Sequence, residues 1–191
     1  LELHLSSLRI NEETQEETSG MIIYEALKKD HREVAELLSK LVNLDDKDEA
    51  RFSLAAQIRD ALIPHSRAEE AVFYNSIRAM NADSGKVMHA YADHLEAEAL
   101  LRTLLMEENV KLPWKATAKK LKAALDHHVA EEESEIFALG KKVLSDEDAE
   151  KIGLAFEAMK PEIKNEGFLK TTMDMVSNLM PVNLKKVLNV I

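Results

Sequence analysis

Cysteine is absent from the 191 residues, which excludes disulfides, thiolate zinc sites, cysteine-held iron–sulfur clusters and thiol catalysis, and leaves the redox compartment open. Glycine (5) and proline (4) are scarce and aromatic residues make up only 5%. With so few turn formers and with Ala, Leu, Glu and Lys abundant, long helices are expected in place of sheets. No apolar run approaches the ~20 residues of a membrane-spanning helix, and no signal peptide is visible. A soluble, cytoplasmic protein is the expectation. The chain begins with Leu rather than Met, which leaves its true start open. Basic residues are also in deficit, 25 against 35 acidic for a formal charge of −10. That field repels phosphate backbones and anionic membranes, so nucleic acid is not expected as a partner. What is present is 46% apolar residues, enough for one globular domain with a real core and short additions.

The punctuation of the chain separates consecutive helices. Residues 1–20, ending in the polar stretch NEETQEETSG, read as a tail or linker. In MIIYEALKKDHREVAELLSKLVN the residues Ile23, Leu27, His31, Val34, Leu38 and Leu41 share one face, which predicts the first helix. A second is expected at about 47–80, a third at about 84–107 and a fourth, after Pro113, at about 114–142. Short connections favour antiparallel neighbours, so the predicted fold is all-α, an up-down four-helix bundle over residues 21–143. Residues 144–191 form a C-terminal helical extension, with a helix at about 145–159 stopping at Pro161 and short amphipathic pieces beyond.

An internal repeat at an offset of 63 residues organises the bundle. DHREVAELLSKL (30–41) matches DHLEAEALLRTL (93–104) without a gap, pairing His31 with His94. At the same offset Ala61, Leu62, His65, Glu69 and Glu70 fall on Ala124, Leu125, His128, Glu132 and Glu133. Helices one and two are therefore expected to relate to helices three and four by an approximate two-fold. Each half brings one lone histidine and one His-xxx-Glu pair, and each of these residues is in step with an apolar stripe. A single inward histidine is ordinarily a hydrogen-bonded core residue. Four repeat-related histidines with two carboxylates point instead to metal.

Four imidazoles and two carboxylates are too many for a tetrahedral zinc and too nitrogen-rich for calcium or magnesium. Two irons fit the donor set best, with Glu69 and Glu132 bridging, two histidines on each iron and an oxo or hydroxo bridge. Manganese or a mixed site is the alternative. Each iron would keep an open position for dioxygen, nitric oxide or peroxide.

The ordered set His31, HSRAEEAVFY (65–74), His94 and HVAEEESEIF (128–137) resembles the hemerythrin-like, HHE cation-binding family over about residues 21–143. The resemblance implies a four-helix bundle around a non-haem di-iron centre that reacts with oxygen, nitric oxide or peroxide, or handles iron. Carried over by position, the ligands are His31, His65, Glu69, His94, His128 and Glu132. The invertebrate oxygen carriers of the family have a His-xxx-His pair on the third helix and an aspartate five residues after the last histidine. Here position 90 is Ala and Glu132 is the carboxylate, which argues against reversible carriage.

The remaining conspicuous residues have plainer readings. His127 and Glu131 are rotated about 100° from the apolar stripe, His89 is expected at the surface, and His4 lies in the tail. Glu70 and Glu133 read as salt-bridge or rim residues, Tyr24 and Tyr74 as packing, Trp114 as packing at the start of the fourth helix, and Pro64 as a possible kink. No residue is assigned a catalytic role. Three functions remain: binding or sensing of oxygen or nitric oxide, including iron handling; an oxidoreductase removing peroxide or nitric oxide at the same site; and a helical interaction protein with a structural metal. The third draws on Phe168, Leu169, Met173, Val176, Leu179 and Met180, an apolar surface suited to capping the bundle or forming a homodimer.

Overall fold

Five helical stretches carry the described residues, 21–80, 82, 84–106 and 113–166, of the computed structural model, and no strand occurs among them. Helix α1 is Ile23–Asn43. Helix α2 runs as Ala50–Glu69, widens into a π-helical turn at Glu70–Tyr74 and finishes as Asn75–Ala79. Helix α3 is Ser84–Met106. Helix α4 repeats the pattern of α2, with Trp114–Glu131, a π turn at Glu132–Ile136 and then Phe137–Val143. Helix α5 is Asp146–Glu166. The tail 1–20 and the apolar residues Phe168 to Met180 lie outside the described residues.

The first four helices pack in a ring, α1 on α2, α2 on α3, α3 on α4 and α4 back on α1. In α1 the buried residues Ile23, Leu27, His31, Val34, Leu38 and Leu41 recur every three or four positions, so the stripe that forms the helix also aims it inward. The core has two apolar clusters. One holds Leu27, Phe73, Tyr74, Tyr91, Phe137 and Phe156; the other holds Val34, Leu38, Ile58, Leu62, Leu101, Leu121 and Leu125. On every helix of the ring the inward histidine falls between residues of the two clusters. A polar layer thus divides the core.

Trp114 fixes the start of α4 by packing in the second cluster while its indole N–H donates to the Asp46 carbonyl at 3.0 Å. Lys115 donates to the Leu44 carbonyl at 2.6 Å, which closes the α1–α2 turn beneath it. Helix α5 crosses α1 and α2. Gly153 permits that approach: a Cβ there would lie 2.3 Å from the Met21 carbonyl oxygen and 2.9 Å from the Ile23 nitrogen.

The end of α5 corrects the sequence expectation. The helix does not stop ahead of Pro161 but runs through it to Glu166. Proline inside a helix forfeits one backbone hydrogen bond and crowds the preceding turn. Packing on both sides offsets that loss: Phe156 is fully buried, Ile163 packs on the first cluster, Lys160 pairs with Asp30 at 2.8 Å and Lys164 reaches Asp60 at 3.8 Å. Pro64 is likewise accommodated within α2, buried among the same helices.

Candidate metal centre

Each of the four ring helices contributes to one buried cluster: His31 from α1, His65 and Glu69 from α2, His94 from α3, and His128 and Glu132 from α4. The two carboxylates link the two halves. Glu69 Oε2 lies 3.6 Å from His65 Nε2 and 3.4 Å from His94 Nε2, while Glu132 Oε2 lies 3.2 Å from His31 Nε2 and 3.7 Å from His128 Nε2. The His31 and His65 rings are 5.1 Å apart, those of His94 and His128 4.6 Å, and the Nε2 atoms of the second pair face each other at 3.1 Å. All four imidazoles turn Nε2 toward the carboxylates.

The opposite ring nitrogens are held by carboxylates that follow the 63-residue repeat. His31 Nδ1 donates to Glu133 at 2.9 Å and His94 Nδ1 to Glu70 at 2.9 Å. His65 Nδ1 donates to Asp30 at 3.3 Å and His128 Nδ1 to Asp93 at 3.4 Å. A proton fixed on Nδ1 leaves the Nε2 lone pair as the donor to a metal and orients the ring. Glu70 and Glu133, read from sequence as salt-bridge or rim residues, do form ion pairs, and their partners include the ring histidines His94 and His31, which they orient. Asp30 and Asp93 have no assigned role in the sequence reading, and their identity at matched positions beside His31 and His94 is the signal that marks them. Glu69 and Glu70 are both fully buried although consecutive residues of a helix diverge by 100°, because this part of α2 is covered by α1, α3 and α5 and every residue from Leu62 to Glu70 is buried.

Ionisation follows this wiring. Burial holds the His65 pKa down to about 4, reinforced by His31 and opposed by the Asp30 hydrogen bond. Burial and His128 push His94 well below its ordinary value. Burial would lower His31 as well, but Glu132 and Glu133 outweigh it and raise the value. Burial and the neighbouring Glu132 push Glu69 well above the usual carboxylate range, whereas the adjoining Glu69 and His31 overcome burial and hold Glu132 low. Burial, with Arg67 opposing, raises Glu70 to about 8.

Whether the residues suit a metal can be tested on unmet bonding capacity. Glu69 is 0% and Glu132 1% exposed, and among the described residues all four of their carboxylate oxygens lack a hydrogen-bond partner, as does His31 Nε2. Buried carboxylate oxygens are ordinarily paired, because leaving them bare costs several kcal/mol. Imidazole and carboxylate donors converging without partners are what a cation would complete, and Glu69, His94 and His128 already place donor atoms within 4.8 Å of one another.

A model of the hemerythrin HHE cation binding domain matches residues 22–139. The chain belongs to that family. A crystal structure of a hemerythrin HHE cation binding domain-containing protein from Mycobacterium kansasii shares the fold with a TM-score of 0.65 at 22% identity, covering 83% of this chain and 97% of that one. A curated protein of Nostoc sp., named DNA nickase, is 28% identical over 144 residues, 75% of this chain. The chain spans only 40% of that relative's length.

The two halves of this HHE chain differ in what surrounds the cluster. Between α2 and α3 the buried Arg67 pairs with Glu70 at 3.3 Å and with Glu98, which Arg102 also grips at 2.6 Å. At the repeat-related places between α1 and α4 stand Ala130 for Arg67 and Ala35 for Glu98. There a cavity of about 210 Å³ opens, lined by both alanines, by Val34, Leu38, Leu62 and Leu125, and by all four histidines. Helix α5 breaks the symmetry again: Phe156 sets its ring edge-on to His65 at 5.6 Å, and Lys160 pairs with Asp30. The equivalent groove between α3 and α4 lies beside the exposed His89 and His127.

Proposed function

We propose that this chain is a non-haem di-iron protein, an up-down four-helix bundle whose two halves each supply two histidines to a shared pair of ions. One ion would take His31 and His65, the other His94 and His128, with Glu69 and Glu132 reaching both. The observation that carries this reading is the set of four bare carboxylate oxygens, each carboxylate poised between a histidine of one half and a histidine of the other. Iron supplies redox chemistry and open positions for a small ligand. The chain's own residues do the rest. Glu133, Glu70, Asp30 and Asp93 keep a proton on each Nδ1, the two apolar clusters close the layer above and below, and Tyr74, stacked on His94 at 5.6 Å, holds a buried phenol with no hydrogen-bond partner among the described residues. Burial and the carboxylates Glu132, Glu69 and Glu70 push that phenol well above its ordinary pKa, so it stays a proton donor.

Binding or sensing of oxygen or nitric oxide is the primary reading. Scavenging of peroxide at the same site is the second; the α1–α4 cavity of about 210 Å³, several times the ~30 Å³ share of one water, has room for any of these small ligands beside the histidines. A role on DNA, the activity named for the Nostoc relative, is opposed by the formal charge of −10. Among the described residues no helix is long and apolar enough to cross a membrane.

The test is metal content. Anaerobic reconstitution with ferrous iron should load a pair of ions per chain, with near-ultraviolet bands after air exposure. Exposure to oxygen, nitric oxide and hydrogen peroxide in turn then separates sensing from scavenging. Uptake of a single zinc with no second ion would sink the di-iron reading.

A further inference from the structure

A second constellation of metal-type donors lies outside the buried cluster. His127 and Glu131 sit one turn apart on α4, with His127 Nε2 3.3 Å from Glu131 Oε1. His89, from α3, brings its Nε2 to 3.5 Å from Glu131 Oε2. One donor atom from each of the three lies within 4.8 Å of the other two. The histidine side chains are 59% and 64% exposed, so the group faces solvent. Two imidazoles and one carboxylate on one side, with water on the other, is a donor set suited to a ferrous or similar divalent ion.

Independent observations tie this group to the interior. A cavity of about 270 Å³ between α3 and α4 is lined at its outer part by His89 and Glu131 and at its inner part by His128 and Glu132. Glu132 is the buried carboxylate whose two oxygens have no partner, and it borders this cavity. Asp93 stands between the two levels, its Oδ1 3.9 Å from His89 Nε2 and its Oδ2 3.4 Å from His128 Nδ1. The other charged groups on the cavity wall, Lys86 and Glu135, pair with each other at 2.6 Å. Carboxylates therefore dominate the way in, which favours a cation.

The repeat shows that the feature is peculiar to one half. The positions matching His89, His127 and Glu131 are Ala26, Pro64 and Ala68, and Ala90 on the cavity wall corresponds to the fully buried Leu27. Helix α5 covers that first-half groove. One half is plugged by a leucine and a helix, and the other is left open beneath a set of donors.

We propose that His89, His127 and Glu131 form an outer divalent-cation station that captures an ion at the surface and passes it, past Asp93 and Ala90, to Glu132 and His128. The delivery step rests on the proposed function, since it takes Glu132 and His128 as metal donors. The outer station itself does not.

The experiment uses the full chain, stripped of metal, and cobalt(II) as the probe. Equilibrium titration should resolve a tight class of ions in the core and one weaker ion outside it. His89→Ala combined with His127→Ala should abolish the weaker ion and keep the tight class. Stopped-flow loading of the core should be slower in this double variant than in the wild type. Ala90→Leu, which copies Leu27, should slow loading to a similar degree and retain the weaker ion; Ala90→Val, with circular dichroism as the folding check, repeats the test with less bulk. A double variant that still binds the weaker ion, or either variant loading at the wild-type rate, overturns the proposal. Wild-type protein that takes no core ion, while cobalt still shifts the His89 and His127 imidazole resonances, refutes the proposed function and upholds the outer station.

Discussion

Replacing Glu69 with methionine should stabilise the metal-free protein and abolish its gain in stability from metal. Glu69 is 0% exposed, and both its oxygens are without a hydrogen-bond partner. Burial and Glu132 raise its pKa well above the carboxylate range, which disfavours its charged form. Leaving such a polar group unsatisfied costs about 1–3 kcal/mol, and substituting buried ionic groups by apolar ones of similar volume is neutral or stabilising by about 1–4 kcal/mol. Methionine is flexible enough to fill the space of the glutamate side chain. The metal-free Glu69→Met variant should therefore gain about 1–3 kcal/mol, and at ~2–4 °C per kcal/mol for a domain of this size its Tm should rise by several degrees. Wild-type protein with saturating ferrous iron should regain the difference and more, because a ligand that binds only the folded state adds about 2.7 kcal/mol at a hundred times its Kd. Thermal unfolding of both proteins, with chelator and with anaerobic iron, measures all four values. A variant less stable than wild type in chelator would refute the reasoning, since it would mean that Glu69 has satisfied partners in the metal-free core.

Arg67→Ala should destabilise the fold by about 3–5 kcal/mol in urea unfolding, because it strips the buried Glu70 and Glu98 of their shared cation; a loss under about 1 kcal/mol would show that the network is solvated. Gly153→Ala should cost about 1–3 kcal/mol, since its Cβ would meet the backbone of Met21 and Ile23 and not a side chain that could yield; unchanged stability would mean that α5 does not pack on α1 in solution. In the histidine doublet, His128→Ala should lose core metal by elemental analysis while His127→Ala keeps the core pair at equilibrium, because only His128 reaches Glu132. The opposite result would put the register of α4 one residue out.

The sequence alone determined the helical class, the family and the stripe on which each candidate ligand lies. These were legible because they depend on periodicity: His31 recurs in step with Leu27, Val34 and Leu38, and the 63-residue offset assigns His94, His65 with Glu69, and His128 with Glu132 to matching places. What faces the outer side of each ring was not legible in the same way. Glu70 and Glu133 read in sequence as salt-bridge or rim residues, but that their partners, and those of Asp30 and Asp93, are the ring histidines depends on how the helices cross. The passage of α5 through Pro161 runs against the local rule of one lost hydrogen bond, which burial and ion pairs with α1 and α2 outweigh. The repeat suggested equal halves, yet the tertiary structure made them unequal. Arg67 with Glu98 fills one groove where Ala130 and Ala35 open its counterpart, and α5 covers a third where Ala90 leaves the fourth open. Such differences reside in contacts between segments far apart in the chain, and hydrophobic period carries no record of which segment comes to lie against which.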